Sequence, residues 1–272
     1  MSRPATVSVT SSALRASPDH ASEQTSRLLL GEGFQVLEES PCGRWARGRG
    51  PDGYEGWLSA WHLAEGEAPR AAFRVSARHG RALAAPEPEA ALLADLSFGA
   101  PLPEGGETRG GWRSWTLPDG APAWTPEADL APARPGHDPV GEILRRGRGL
   151  LGVPYEWGGR SSAGLDCSGL VQLLLTGLGL NPPRDSGQQA AWAESLDHRR
   201  PELWLPGDLL FYGDGRRVEH LGLLAEEGKL LHASAFVRVE DLLPGGSLPG
   251  PGRPTLMGAG RWTGLLKSAK SA

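Results

Sequence analysis

LDCSGLVQLLLTGLGL, residues 165–180, opens on Asp, Cys and Ser and runs into an apolar body. Asp166 and Ser168 are residue types that cap helix starts, so the stretch predicts a buried helix with Cys167 in its first turn. Downstream, VEHLGLLAEEGKLLHAS (218–234) places two apolar runs around Glu226-Glu227-Gly228, the pattern of an antiparallel hairpin. A three-residue loop with Gly228 in the left-handed conformation sets His232 opposite Gly222 and makes His220 its diagonal neighbour on the same face. Pro206-Gly207 and then DLLFYG (208–213) read as a turn and a strand. Upstream, Val140 to Leu151 is an amphipathic helix that the Arg-Gly-Arg-Gly run (146–149) should make irregular. Helices followed by an antiparallel sheet make residues 140–272 an α+β domain.

The N-terminal half contains a repeat. Trp45, Pro51-Asp52-Gly53, Trp57 and Leu63 recur at Trp112, Pro118-Asp119-Gly120, Trp124 and Leu130, each displaced by 67 residues. In each copy a Pro-Asp-Gly turn separates two Trp-bearing segments, as in a small all-β barrel built of hairpins. Residues 1–66 and 67–132 are read as two such barrels, and the Pro-rich stretch 133–139 as the linker to the third domain.

Composition excludes several functions. A net charge of -4, without a run of Lys or Arg, leaves no electrostatic footprint for nucleic acid or an anionic membrane. The longest apolar tract, Gly169 to Leu180, is well short of the ~20 residues that span a bilayer. The N-terminal residues lack the apolar stretch of a secretory signal, so a cytoplasmic location is expected. Cys42 and Cys167 are the only cysteines and show no CxxC spacing, which suggests neither a disulfide framework nor a structural zinc site.

A lone cysteine among leucines is ordinarily a small buried hydrophobe. A helix N-terminus, however, favours thiolate over thiol. The hairpin then supplies a base and its orienter: one of His220 and His232 takes the thiol proton while the other fixes its tautomer. Near the surface at a helix start, Cys167 should be alkylated before Cys42. The other histidines (20, 62, 79, 137, 198) read as satisfied core or surface residues.

YEWGG (155–159), DCSGLV (166–171), RDSGQQ (184–189), PGDLLFY (206–212), EHLGLL (219–224) and LLHAS (230–234) together resemble the NlpC family of papain-like cysteine peptidases. The two repeats resemble bacterial SH3-like domains. The implied architecture is a papain-like peptidase domain preceded by two small SH3-like barrels. The implied reaction is cleavage of the γ-D-glutamyl to diamino-acid bond in peptidoglycan stem peptides, with no metal or organic cofactor. Cys167 would be nucleophile, His220 base and His232 orienter, with the Tyr155 hydroxyl near the oxyanion. In the subgroup carrying R-D-S-x-x-Q, a free N-terminal L-Ala is read by the Asp and Ser of that motif and by Glu and Tyr of the first SH3-like domain. Those positions are Asp185, Ser186, Glu32 and Tyr54 here, and Asp166 and Ser168 join them as substrate-binding candidates. The second repeat has Ala121 in place of Tyr54 and, allowing one gap, Ala100 in place of Glu32. A small muropeptide of a recycling route is the expected substrate. Two other readings stand beside this one: a wall-binding adaptor, and an acyltransferase or amidase on the same fold.

Overall fold

The computed structural model describes residues 2–134 and 136–263; Pro135 of the expected linker and the expected domain end, 264–272, lie outside the described residues. The chain divides into two compact units, one of residues 1–134 with 157–163, the other of 135–156 with 164–272.

In the first unit the strands between Arg3 and Glu65 form one antiparallel sheet around a core that includes Val7, Leu14, Phe34 and Leu58. Strands between Ala71 and Pro132 form a five-stranded and a three-stranded sheet. The repeat extends to strand register: Arg47 pairs with Trp57, and Ser114 with Trp124. The 3-10 turn Ala60–His62 likewise recurs as Glu127–Asp129. Gly53 and Gly120 both close their turns at positive φ, 80° and 89°, where a Cβ would be strained. The gap placed between the copies is also seen in the backbone. Val7 donates to the Glu32 carbonyl as Val75 does to that of Ala100, so Glu32 and Ala100 are structural equivalents.

The second unit is α+β. Helices α1 (Pro139–Gly149), α2 (Cys167–Thr176) and α3 (Ser186–Trp192) accompany a six-stranded antiparallel sheet. Its strands are β1 (Glu194–Leu196), β2 (Leu209–Gly213), β3 (Val218–Glu226), β4 (Lys229–Ser234), β5 (Phe236–Asp241) and β6 (Thr255–Arg261), in spatial order β1-β6-β2-β3-β4-β5. α2 is buried along Cys167–Leu175, as its all-round apolar sequence demands. α1 is capped by Asp138, whose side chain accepts from the Gly141 N–H at 2.9 Å. Contrary to expectation, the Arg-Gly-Arg-Gly run does not disturb α1. A Cβ at Gly147 would stand 2.3 Å from the Leu231 side chain, so this glycine lets the helix lie close on β4. Arg146 donates to the Gly177 carbonyl at the end of α2.

Candidate active site

The site is built from the start of α2 and one face of the β3–β4–β5 sheet. The Asp166 carboxylate caps α2 by accepting from the Gly169 N–H at 2.6 Å. Arg184, buried, forks onto it: Nη2 reaches Oδ2 at 2.6 Å and Nη1 reaches Oδ1 at 3.1 Å, while Nη1 also donates to Ser168 Oγ at 2.8 Å. Gln189, also buried, donates through Nε2 to the carbonyls of Ser168 and Pro183. Arg184 and Gln189, the first and last residues of R-D-S-x-x-Q, thus lock the turn that presents Cys167. Asp166 and Ser168 are only 6% exposed and spend these polar atoms on the cap and on Arg184, which makes them supports of the helix start.

The hairpin has the anticipated register for a different local reason. The turn is the two residues Glu227-Gly228, and the extra residue is a bulge at Ala225. The Leu223–Leu231 pairing still puts Gly222 opposite His232. A Cβ at Gly222 would lie 2.9 Å from that of His232, so the position needs glycine. His220 Nε2 and His232 Nδ1 are 2.8 Å apart, with the rings near perpendicular at 72°. His232 is wholly buried, and its Nε2 lies 3.1 Å from Glu240 Oε2 on β5. Cys167 Sγ sits 4.0 Å from the carbonyl oxygen of Glu219, the residue before His220. Beside His220 opens a cavity of about 460 Å³ whose wall includes Asp214, Glu219, Ser234 and Arg253.

Burial sets the protonation states. The Cys167 thiol is pushed up to about 12, first by burial and then by the Asp166 carboxylate, against the N–H groups of Leu221 and Ser168 and the Arg184 charge. Burial thus opposes the thiolate that a helix start would favour. His220 and His232 are both pushed down to about 3, chiefly by burial. At rest, burial favours the neutral thiol and the neutral imidazoles. Cys42 has the opposite environment. It is exposed, and hydrogen bonding to Ser40 and Arg44 lowers its thiol to about 7. Cys167 is buried rather than near the surface, and this contrast predicts the opposite order of alkylation.

Residues 152–244 match the NlpC/P60 family, and residues 14–63 match the bacterial dipeptidyl-peptidase SH3 domain. The C-terminal domain belongs to the NlpC/P60 family. It is a cysteine-peptidase domain. The chain is 30% identical over 216 residues to the gamma-D-glutamyl-L-lysine dipeptidyl-peptidase of Bacillus subtilis, covering 75% of this chain and 66% of the relative. It is 25% identical to the Bacillus cereus protein of the same name, covering 83% and 72%. The chain thus spans about two thirds of the length of the B. subtilis protein. A crystal structure of an NlpC/P60 family protein from B. cereus superposes with a TM-score of 0.81, covering 95% of this chain and 99% of that one at 21% identity, which establishes a shared fold.

Within the NlpC/P60 domain, Tyr155 is half-buried and its backbone N–H donates to Ala235. Burial, aided by charge at Cys167 and Asp166, raises its phenol to about 12, so it remains an O–H donor. Asp185 and Ser186 begin α3, where the Ser186 hydroxyl donates to the Val218 carbonyl on β3.

The SH3 candidates lie in the first unit. Glu32 is 4% exposed rather than solvated: Oε2 accepts from Arg160 Nη1 at 2.8 Å and from the Leu29 N–H at 3.0 Å, and Oε1 from Arg160 Nη2 at 3.0 Å. This carboxylate is already paired, so blocking an amine would not leave it unsatisfied. Tyr54 is partly buried against the barrel core. The Arg160 partnership was not legible beforehand, because 128 residues separate the pair and no local pattern links them.

Proposed function

We propose that the chain hydrolyses the γ-D-glutamyl to diamino-acid bond of peptidoglycan stem peptides bearing a free N-terminal L-Ala, as a step of muropeptide recycling in the cytoplasm. The observation that carries this reading is the 2.8 Å His220–His232 bond, in a chain akin to two gamma-D-glutamyl-L-lysine dipeptidyl-peptidases. His220 takes the Cys167 proton as Sγ attacks the γ-carbonyl carbon. The Cys167 N–H and the Tyr155 hydroxyl are the proposed donors to the developing oxyanion. The imidazolium returns its proton to the departing amine as the C–N bond breaks, leaving a thioester. Water, deprotonated by His220, then cleaves the thioester and restores the thiol. Because the leaving amine takes its proton from His220, the diamino acid is placed on the side of the cavity bounded by Asp214, Glu219 and Arg253. Asp185 and Ser186, at the start of α3, are proposed to read the free amine.

Mass spectrometry of L-Ala-γ-D-Glu-L-Lys digests tests the reading. Release of L-Ala-D-Glu and lysine is expected, and none with Cys167→Ala. The N-acetylated peptide should be cleaved at least about tenfold more slowly, as expected when a polar subsite loses its partner. Equal rates would remove amine recognition from the proposal. Recovery of the native protein outside the cytoplasmic fraction would overturn the location.

A further inference from the structure

We propose that Glu240 is a positioning residue of the histidine pair: it holds the Nε2 proton of His232 and thereby commits His220 to the tautomer that accepts the thiol proton. The inference rests on the reading of Cys167, His220 and His232 as the catalytic set.

His220, His232 and Glu240 lie on three adjacent strands and on one face of the sheet. His232 pairs directly with Arg238, and Glu240 is two residues further along β5. His220 stands in the same diagonal relation across β3, so the side chains form a line over the sheet. His232 is 0% exposed, and neither of its nitrogens can turn to water. Nδ1 lies 2.8 Å from His220 Nε2; Nε2 lies 3.1 Å from Glu240 Oε2, an ion-pair distance without hydrogen-bond geometry, and among the described residues it has no hydrogen-bond partner.

A neutral imidazole carries one ring proton. Were that proton on Nδ1 of His232, the bare Nε2 lone pair would face a carboxylate oxygen at 3.1 Å inside the protein. Two acceptors so placed repel, and a buried acceptor without a donor is costly. The proton therefore belongs on Nε2, the ring nitrogen beside the Glu240 carboxylate. Nδ1 of His232 must then accept, so His220 Nε2 must donate. With its single proton on Nε2, His220 leaves the Nδ1 lone pair to act as base.

Glu240 is itself held in place. Arg238 Nη2 donates to Oε1 at 2.9 Å and Arg253 to Oε2, while Arg253 Nη1 also reaches Ser234 Oγ at 3.2 Å. These two guanidiniums hold the carboxylate in place. A carboxylate that served only to neutralise them would have no consequence for the ring protons, and this separates the two roles.

The test is nitrogen-15 NMR of the full chain labelled at histidine, read beside peptide hydrolysis. In the wild-type protein His232 should be a pure Nε2–H tautomer and His220 likewise Nε2–H. Glu240→Gln, which keeps an acceptor oxygen, should preserve both tautomers and most of kcat. Glu240→Leu should give mixed tautomers at His232 and lower kcat by about tenfold or more with KM little changed, since an orienter acts on the base and not on substrate binding. A wild-type His232 protonated on Nδ1 would overturn the proposal, and that measurement needs no variant to fold. Unchanged ring protons and kcat in Glu240→Leu would reduce Glu240 to a counter-charge. An inactive wild-type enzyme with the expected tautomers would instead indict the catalytic reading.

Discussion

Replacing Arg184 by Met removes a guanidinium from beneath the catalytic helix while keeping most of its volume. Arg184 is 2% exposed and makes two bonds to the Asp166 carboxylate and one to Ser168. Asp166 is itself 6% exposed, so the substitution strands a carboxylate that water hardly reaches. Breaking a buried pair from one side costs about 3–5 kcal/mol. For a domain of this size 1 kcal/mol moves the melting point by about 3–4 °C, so the peptidase transition should fall by on the order of 10 °C or more. The bonds from Arg184 to Asp166 and Ser168 lie within the second unit, which makes the melting of the SH3 unit an internal control. Adding Asp166→Asn should restore much of the loss, because Asn caps a helix about as well as Asp and leaves no buried charge. Kinetics should follow: with Arg184 gone, the Asp166 charge acts on the Cys167 thiol unopposed, and kcat should drop in Arg184→Met more than in the double variant. Calorimetry of the wild type, the single and the double variant is the assay. A shift of the peptidase transition under about 3 °C, or a double variant no more stable than the single, would refute the claim that the Arg184–Asp166 pair sustains the start of α2.

Substoichiometric iodoacetamide at neutral pH should label Cys42 before Cys167, since the first is exposed with a thiol near 7 and the second buried with a thiol near 12. Peptide mapping reads the order, and faster labelling of Cys167 would mean that the imidazole pair already holds its proton at rest. Stability should fall with acid between about pH 6.5 and 3. In that window unfolded histidines bind protons that His220 and His232 refuse, at about 1.4 kcal/mol per pH unit for each ring. Urea titrations of the wild type and of a His220→Gln, His232→Gln variant isolate this contribution, and parallel pH profiles would contradict it.

Local patterns carried much of the fold. The capping residues before an apolar run specified α2 with Cys167 at its start, and the shared spacing of 67 residues foretold the matched registers of the two copies. Such signals are legible because helix caps, turns and strand alternation depend on neighbours in the chain. The hairpin shows where that limit lies: its register came out as anticipated, but through a bulge at Ala225 that no turn residue announces. The grouping of residues 157–163 with the SH3 unit had no local sign either.

The candidate catalytic residues Cys167, His220 and His232 were picked out by sequence spacing together with the family resemblance. What only the tertiary structure decided was their electrical state and their support. A helix N-terminus argues for a thiolate, but burial of the helix start pushes the Cys167 thiol up and favours its neutral form. The Glu32 carboxylate reads as open to a substrate amine until Arg160 is found beside it, and Glu240 carries no motif until β5 brings it to His232. Burial and ion pairing depend on groups distant in the chain, and a linear pattern records only the groups nearby.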